Sequence, residues 1–250
     1  MKNIRLLLEY DGTNYHGWQS QKNALTIQDV LQKAVEELTG ETCNIIGSGR
    51  TDAGVHALGQ VANFVTNSKI PPEKFSYAIN NILPRDIVVK KSEAVDMDFH
   101  ARFSAIGKKY MYRIRNSAHP SALWRNREYH VRAPLDISSM NHALQYFIGE
   151  HDFAAFHASG GSVESTVRKI YDAGIKKEGE CVILEIHGNG FLYNMVRIIA
   201  GTLVEVGMGK RKATDIPDIL ESKKREKAGR TAPPHGLYLA EVFYNDQKME

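Results

Sequence analysis

The feature that most constrains the fold is an order of strand and helix patterns that occurs twice along the chain. In the first half, an apolar strand-like run at residues 4–10 is followed by a run with helical spacing, then by two strands, a helix and a strand. The second half gives the same βαββαβ order, from a strand at 108–115 to one at 237–244. Such split βαβ units form antiparallel sheets with helices on one face.

This duplication predicts an α+β protein made of two pseudo-equivalent ferredoxin-like halves. Residues 1–104 form the predicted N-terminal half and residues 105–250 the C-terminal half, and no low-complexity linker separates them. We expect the two halves to share an extended antiparallel sheet, with an active-site cleft between them. A hydrophobic fraction of 42% and a charged fraction of 24% are typical of a globular protein.

The clearest single element is a helix that begins after Thr26 and ends at Gly40. Thr26 is a suitable N-cap, apolar residues then fall at helical spacing, and the glycine provides a stop. Strands are predicted at 43–48, 60–66 and 87–94, with a second helix after Pro71 and Pro72. In the second half we predict helices at 137–148 and 191–206 and strands at 167–176 and 181–187.

Positive charge is concentrated in one part of the chain, although the formal net charge is only +3. Between Phe99 and Arg132, basic residues alternate with aromatic ones, and Glu128 is the only carboxylate. The basic residues are Arg102, Lys108, Lys109, Arg113, Arg115, Arg125, Arg127 and Arg132. This combination favours contact with phosphates and unstacked bases. A solvated basic face with core aromatic residues is the alternative.

Several other classes of protein are disfavoured by the sequence. The two cysteines lack metal-ligand or disulfide-scaffold spacing, and the ten histidines are scattered, so we predict no metal site. No phosphate-binding loop, dinucleotide fingerprint or zinc-deaminase signature occurs, and we predict no cofactor. No apolar run is long enough for a signal peptide or a membrane span, which predicts a cytoplasmic protein without a membrane partner.

The segment 47–56, GSGRTDAGVH, lies between two strand-like runs and is the strongest candidate for chemistry. Its three glycines allow turns with positive φ and a close approach to a ligand, while Arg50, Asp52 and His56 supply polar side chains. A tight hairpin, in which Asp52 caps the turn and pairs with Arg50, would explain the same residues without catalysis. The segment alone leaves both readings open.

Six motifs, in order from end to end of the chain, resemble the bacterial tRNA pseudouridine synthase A family. They are YDGTNYHGWQ at 10–19, GRTDAGVHA at 49–57, FHARFSA at 99–105, KYMY at 109–112, GFLYNMVR at 190–197 and TAPPHGLY at 231–238. The resemblance implies an isomerase that converts uridine to pseudouridine in the anticodon stem-loop of tRNA, at positions 38, 39 and 40. It also implies a homodimer, with tRNA bridging both subunits.

The resemblance assigns roles to four residues. Asp52 matches the nucleophilic aspartate, and Arg50 matches the arginine that holds the target base outside the stack. Tyr110 matches the tyrosine that stacks on the flipped uracil, and Arg197 matches the arginine that pairs with the aspartate. Residue by residue, the alternatives are an ordinary core tyrosine for Tyr110 and a helix salt bridge for Arg197. Candidate supporting residues are Thr51, His56 and Tyr112.

The implied reaction breaks the N1–C1′ bond, turns the uracil and joins C5 to C1′, with no net gain or loss of atoms. An ionised carboxylate beside the sugar or base is what this chemistry requires. The sequence leaves open whether Asp52 attacks C1′, attacks C6 or assists a glycal route. The rival functions are a non-catalytic RNA-binding module and a small-molecule enzyme or RNA chaperone that retains the fold.

Overall fold

The structure, a computed structural model, describes residues 1–160 and 164–245. The chain divides into two compact units. Unit 1 consists of Met1–Ile106 together with the chain from Tyr238 onward, and unit 2 consists of Gly107–Leu237.

Unit 1 contains the βαββαβ order that the sequence predicts for the first half. Single-turn 3₁₀ helices at Gly12–Asn14 and Pro72–Lys74 supplement it. The elements are β1 (Lys2–Tyr10), α1 (Ile27–Thr39), β2 (Ile46–Gly47), β3 (His56–Thr66), α2 (Phe75–Asn80) and β4 (Ile87–Val95). The predicted bounds of α1 are confirmed. The Thr26 side chain accepts from Asp29 N–H at the N-terminus, and Gly40 ends the helix with a left-handed φ of 70°.

Unit 2 contains the remaining strands and helices up to Leu237. The elements are β5 (Ala105–Asn116), β6 (Tyr129–Val131), α3 (Ile137–Gln145), β7 (Gly149–Asp152), β8 (Val167–Glu178), β9 (Cys181–Gly188), α4 (Met195–Gly207) and α5 (Ile216–Ser222). Helix α4 begins four residues later than predicted, since Asn194 has a left-handed φ of 61° that a helix cannot include. The prediction omitted β6, β7 and α5.

The final strand, β10 (Leu237–Tyr244), has the predicted bounds and pairs within unit 1. Its Tyr238 and Leu239 lie parallel to His56 and Ala57 of β3, whereas β3 and β4 both lie antiparallel to β1. A parallel partner requires a long connection, and here the whole of unit 2 separates β10 from the preceding strands of unit 1.

Strands β5, β9, β8 and β7 of unit 2 lie antiparallel in that order, and β6 adds in parallel to β5. Both units therefore contain parallel as well as antiparallel pairs. The chain is a mixed α+β protein, and the prediction of a purely antiparallel sheet is wrong in this respect.

Each unit has its own buried apolar residues. In unit 1, alternate residues of β1 are fully buried, and the Phe64 ring of β3 packs edge-on against Phe75 of α2 at 5.5 Å between centroids. In unit 2, Phe147 and Phe156 pack edge-on at 4.9 Å, and nearly every residue of α4 is buried. Within the described ranges, no helix is both long and apolar enough to cross a bilayer.

Candidate active site

The Asp52 loop, residues 48–55, connects β2 to β3 and is tied to β3 at its first residues. Ser48 N–H donates to the carbonyl of Val61 at 2.7 Å, and the Ser48 hydroxyl donates to Gln60 Oε1 at 2.6 Å. Gln60 Nε2 in turn donates to the carbonyl of Gly49 at 3.0 Å. Ser48 and Gln60 are completely buried, so these bonds are protected from water and fix the start of the loop.

A second segment, residues 10–19, holds the middle of the Asp52 loop. Trp18 N–H donates to the carbonyl of Thr51 at 3.0 Å, and Gly54 N–H donates to the carbonyl of Tyr15 at 3.2 Å. The hydroxyls of Tyr10 and Thr51 are 2.8 Å apart and buried. The motif at 10–19 is therefore the backbone platform on which the Asp52 loop rests.

Two glycines of this platform are required by the close approach of the two backbones. A Cβ on Gly12 would lie 2.0 Å from the carbonyl oxygen of Val55, and one on Gly17 would lie 2.3 Å from that of Thr51. Gly17 also has a φ of +87°. No larger residue fits either position without moving the loop.

The hydroxyl of Tyr10 remains protonated over the whole physiological pH range. Burial raises the pKa of Tyr10 well above its usual value, and hydrogen bonds from Thr51 and Gln60 offset only part of that effect. Tyr10 therefore serves as a neutral hydrogen-bonding group beneath Thr51, the residue directly before Asp52.

Asp52 and Arg50 differ in their exposure on this loop. Asp52 is half-buried, and its carbonyl accepts from Val55 N–H at 3.1 Å, which closes a turn that includes Gly54 at a φ of 75°. Arg50 is exposed to solvent. The loop thus presents a carboxylate and a guanidinium two residues apart on a fixed backbone.

His56, the first residue of β3, is a buried structural contact of the same loop. Its ring stacks on Tyr238 of β10 at 4.8 Å, and its Nδ1 lies 3.0 Å from Gly12 N and 3.2 Å from Asp11 Oδ1. Nδ1 accepts from Gly12 N–H when the ring proton is on Nε2, and it can donate to Asp11 only in a form that carries a proton on Nδ1. With 2% of its surface exposed, His56 supports the loop rather than meeting solvent.

Tyr110 and Tyr112 lie on β5 in unit 2, and both are largely enclosed. The Tyr110 ring, 9% exposed, packs edge-on against Phe191 at 5.0 Å. Tyr112 is fully buried and its hydroxyl donates to the carbonyl of Pro233 at 2.7 Å. Burial raises the pKa of Tyr112 far above the usual range, with a smaller opposite effect from Arg197. Tyr112 is therefore a packing and hydrogen-bonding residue.

Arg197 lies in the first turn of α4, and its guanidinium is fixed from two directions. Nε donates to the carbonyl of Ala232 at 2.8 Å, and one terminal nitrogen donates to Asn194 Oδ1 at 2.6 Å. The left-handed Asn194, at the helix N-cap, places its amide for this bond. The structure thus brings Arg50, Thr51, Asp52 and His56 together in unit 1, and positions Tyr110, Tyr112 and Arg197 in unit 2.

Part of the basic stretch between Phe99 and Arg132 is used inside unit 2. The buried Glu128 carboxylate accepts from Arg113 at 2.7 Å and from Arg115 at 2.8 Å, and the Arg113 guanidinium lies 5.5 Å from the Trp124 ring. These two arginines form a structural cluster. The phosphate-binding role of the stretch as a whole stays a prediction.

Neither cysteine is a candidate nucleophile. Both thiols are buried, which raises the pKa of Cys43 and raises that of Cys181 to about 11, so neither is ionised at neutral pH. Across residues 1–160 and 164–245, no group of three or more His, Cys, Asp or Glu side chains is arranged to hold a metal ion.

The sequence analysis assigned no role to Tyr10, Trp18 and Gln60, which support the Asp52 loop. Their contacts to the loop join positions 11 to 41 residues apart. The available signal was the pair of glycines at 12 and 17, which mark close backbone approach without indicating the partner.

The class of protein follows from a family model described as tRNA pseudouridine synthase, which matches residues 7–104 and 143–245. The matched residues include the platform, the Asp52 loop and α4. The chain belongs to the tRNA pseudouridine synthase A family, whose enzymes are isomerases that modify tRNA.

Two relatives, both called tRNA pseudouridine synthase A, show how close the relationship is. The chain is 61% identical to the protein of Acetivibrio thermocellus and 60% identical to that of Ruminiclostridium cellulolyticum, with 98% of this chain and 100% of each relative covered. A solved Cbf5-Nop10-Gar1 complex aligns at 12% identity over 96% of this chain and 59% of that one, with a TM-score of 0.37. That weak likeness adds nothing to the assignment.

Proposed function

We propose that this protein converts uridine to pseudouridine in the anticodon stem-loop of tRNA, at positions 38, 39 and 40, with Asp52 as the nucleophile. The observation that carries the proposal is the construction of the Asp52 loop. A half-buried carboxylate lies on a backbone that is hydrogen-bonded to both the 10–19 platform and β3. Such fixed placement is what a nucleophile needs in order to meet one atom of a bound nucleotide.

The reaction needs little more than positioning. The Asp52 carboxylate has three possible routes: it attacks C1′ as the N1–C1′ bond breaks and is displaced when C5 bonds to C1′, it adds to C6 and is eliminated at the end, or it assists a glycal route without forming a bond of its own. The uracil then turns, C5 bonds to C1′, and the C5 proton leaves to restore the aromatic ring. The C5 proton is lost to solvent and N1 gains a proton, so the atomic composition of the nucleotide is unchanged and the residues described above have only to bind, orient and move protons.

Arg50, Tyr110 and Arg197 are the proposed substrate-binding residues. Arg50 is exposed beside Asp52, and its planar guanidinium can stack and donate hydrogen bonds in the space that an extruded base leaves. Tyr110 offers a ring whose orientation is fixed by Phe191. Arg197 is anchored by two acceptors, which leaves its charge at a defined place.

The test uses an unmodified tRNA transcript that carries tritium at uracil C5. Tritium release is measured for the wild type, for Asp52→Asn and for the control Asp218→Asn, which alters an exposed carboxylate of α5. We expect release by the wild type and by the control, and a loss of at least about 1,000-fold in Asp52→Asn. Sequencing the product RNA identifies the modified uridines.

Two outcomes would overturn the proposal. Tritium release by Asp52→Asn at the wild-type rate would remove Asp52 from the chemistry. Binding of tRNA by the wild type without any release would favour a non-catalytic RNA-binding module.

We further propose that the protein acts as a cytoplasmic homodimer on tRNA. This part rests on the family resemblance. Sedimentation of the purified chain, alone and with tRNA, tests the dimer directly, and a monomer that retains full activity would exclude it.

A further inference from the structure

The loop that connects β4 to β5, residues 96–104, presents an aromatic ring to solvent. Phe103 in this loop, called here the Phe103 loop, is 74% exposed. The Arg102 guanidinium lies 5.3 Å from its ring centroid, and the His100 ring lies 4.4 Å away at 34°. The sequence motif at 99–105 includes all three residues, yet none of them has a place in the chemistry described above.

The Phe103 loop is held by buried side chains from three strands of unit 1. Asn3 of β1 donates to the carbonyls of Asp96 and Phe99 at 3.0 and 2.9 Å. Asn63 of β3 accepts from Ala101 N–H at 2.9 Å, and its amide donates to Asn3 at 3.0 Å. These bonds replace the ladder hydrogen bonds that an irregular segment lacks.

A third strand and a buried cation complete the support. The hydroxyl of Tyr244, on β10, donates to the carbonyl of Ala101 at 2.7 Å, and its ring packs on the buried Phe99 ring at 5.1 Å. The Arg5 guanidinium lies 5.2 Å from the Phe99 centroid and pairs with Glu93 at 2.8 Å. Burying polar and charged groups is costly unless they are paired, and the bonds from Asn3, Asn63 and Tyr244 therefore stabilise the loop in one conformation.

The end of the loop is fixed locally as well. His100 Nδ1 accepts from the backbone N–H groups of Arg102 and Phe103 at 3.2 and 3.3 Å. Ser104 N–H donates to the carbonyl of His100 at 2.9 Å, and its hydroxyl accepts from His100 N–H at 3.1 Å. The exposed ring is therefore presented on a rigid backbone.

We propose that Phe103 stacks on an unpaired nucleobase of the bound RNA while Arg102 contacts the adjacent phosphate. This inference rests on the proposed function, and it names a contact with the RNA outside the reacting uridine. An exposed aromatic ring beside a cation is the combination that binds single-stranded nucleotides. Rigid presentation adds affinity because no ordering of the loop is needed on binding.

Tyr77 supplies a matched control within the same unit. It is 70% exposed and has a cation, Lys74, at 5.3 Å, but it lies on the short helix α2. The Tyr77→Ala variant therefore tests whether the loss of any exposed aromatic ring beside a cation weakens tRNA binding.

The experiment compares the wild type, Phe103→Ala, Phe103→Trp and Tyr77→Ala. Dissociation constants for an unmodified tRNA transcript are measured by filter binding, and single-turnover tritium release is measured at saturating protein. We expect Phe103→Ala to weaken binding about 5- to 150-fold. Phe103→Trp should bind as the wild type does, with its fluorescence quenched by the RNA, and Tyr77→Ala should change binding less than 2-fold.

Crosslinking identifies the molecule that meets the ring. A photoreactive phenylalanine at position 103 should crosslink to the tRNA transcript. Crosslinks only to a second copy of the chain, or a changed sedimentation coefficient in Phe103→Ala, would overturn the proposal in favour of a protein contact.

The experiments distinguish failure of the Phe103 contact from failure of the proposed pseudouridine synthase function. Equal binding by the wild type and Phe103→Ala, with pseudouridine still formed, would exclude the Phe103 contact alone. A wild type that neither binds tRNA nor releases tritium would exclude both.

Discussion

Replacing Gly17 by alanine should displace the Asp52 loop without touching any residue of the loop itself. The added Cβ would lie 2.3 Å from the carbonyl oxygen of Thr51, which is 0.7 Å inside the 3.0 Å that real Cβ atoms keep. The obstructing atom belongs to the backbone, so no side-chain rotation can relieve the contact. Thr51, and Asp52 after it, must move.

The expected loss of stability has two parts. Placing alanine at a φ of +87° costs about 1–2 kcal/mol. Moving the carbonyl of Thr51 also breaks its bond from Trp18 N–H, which costs about 1–3 kcal/mol if that donor remains buried and unpaired. The free energy of unfolding should therefore fall by roughly 2–5 kcal/mol.

Gly17→Ala should also lower the rate of the reaction, even where the variant remains folded. A displacement of about 1 Å at a reacting group lowers a rate by roughly 100-fold. We expect a loss of this order in single-turnover tritium release, measured at a temperature where the variant is still folded, alongside urea unfolding followed by circular dichroism.

Gly40→Ala is the matched control for backbone strain. Gly40 has a φ of +70°, but no atom lies within 4 Å of the position its Cβ would take. This variant should lose only about 1–2 kcal/mol of stability and keep wild-type activity. If Gly17→Ala and Gly40→Ala were equally stable and equally active, the platform argument for residues 10–19 would be refuted.

Three further variants test other parts of the structure. Arg50→Lys should lower single-turnover release roughly 10-fold, because an ammonium cannot stack as a guanidinium does. An unchanged rate would mean that Arg50 contributes only its positive charge. Asp152, whose pKa is lowered first by Lys223 and then by Thr166, stabilises the fold above its unfolded pKa, and that contribution disappears as pH falls through the folded value. Asp152→Asn should therefore cost about 1 kcal/mol in urea unfolding at pH 7 and progressively less as the pH falls below the unfolded pKa and through the folded one. Glu128→Gln should cost about 3 kcal/mol in the same assay, since it removes the buried carboxylate that accepts from both Arg113 and Arg115; Arg115 keeps its bond to the exposed Glu180.

The elements that could be predicted from the sequence are those set by local signals. Thr26 and Gly40 delimit α1 because capping and left-handed termination involve only neighbouring residues. The strands β6 and β7, with three and four residues, are too short to show a period. The parallel pairing of β10 depends on contacts with residues about 180 positions earlier in the chain, and no local pattern encodes it.

The residues of the candidate site likewise differ in whether the sequence could predict them. Family resemblance selected Asp52, Arg50, Tyr110 and Arg197, but the buried bonds of Gln60 and Tyr10 to the loop arise from tertiary packing. Strand alternation predicts that Tyr110 and Tyr112 lie on the same face of β5. It does not predict that the Tyr112 hydroxyl donates a hydrogen bond to the carbonyl of Pro233.

The return of β10 to unit 1 also determines the order in which the protein can be completed on the ribosome. Unit 2 is continuous in sequence and can close as soon as it has been synthesised, whereas unit 1 must wait for residues beyond 237. Until then β3 has an open edge where Tyr238 and Leu239 will pair, and His56 lacks its stacking partner. An unpaired strand edge invites pairing with another chain. The nascent protein therefore has an unpaired β3 edge until the residues of β10 have been synthesised, and only then does it gain its buried His56 and anchored Phe103 loop.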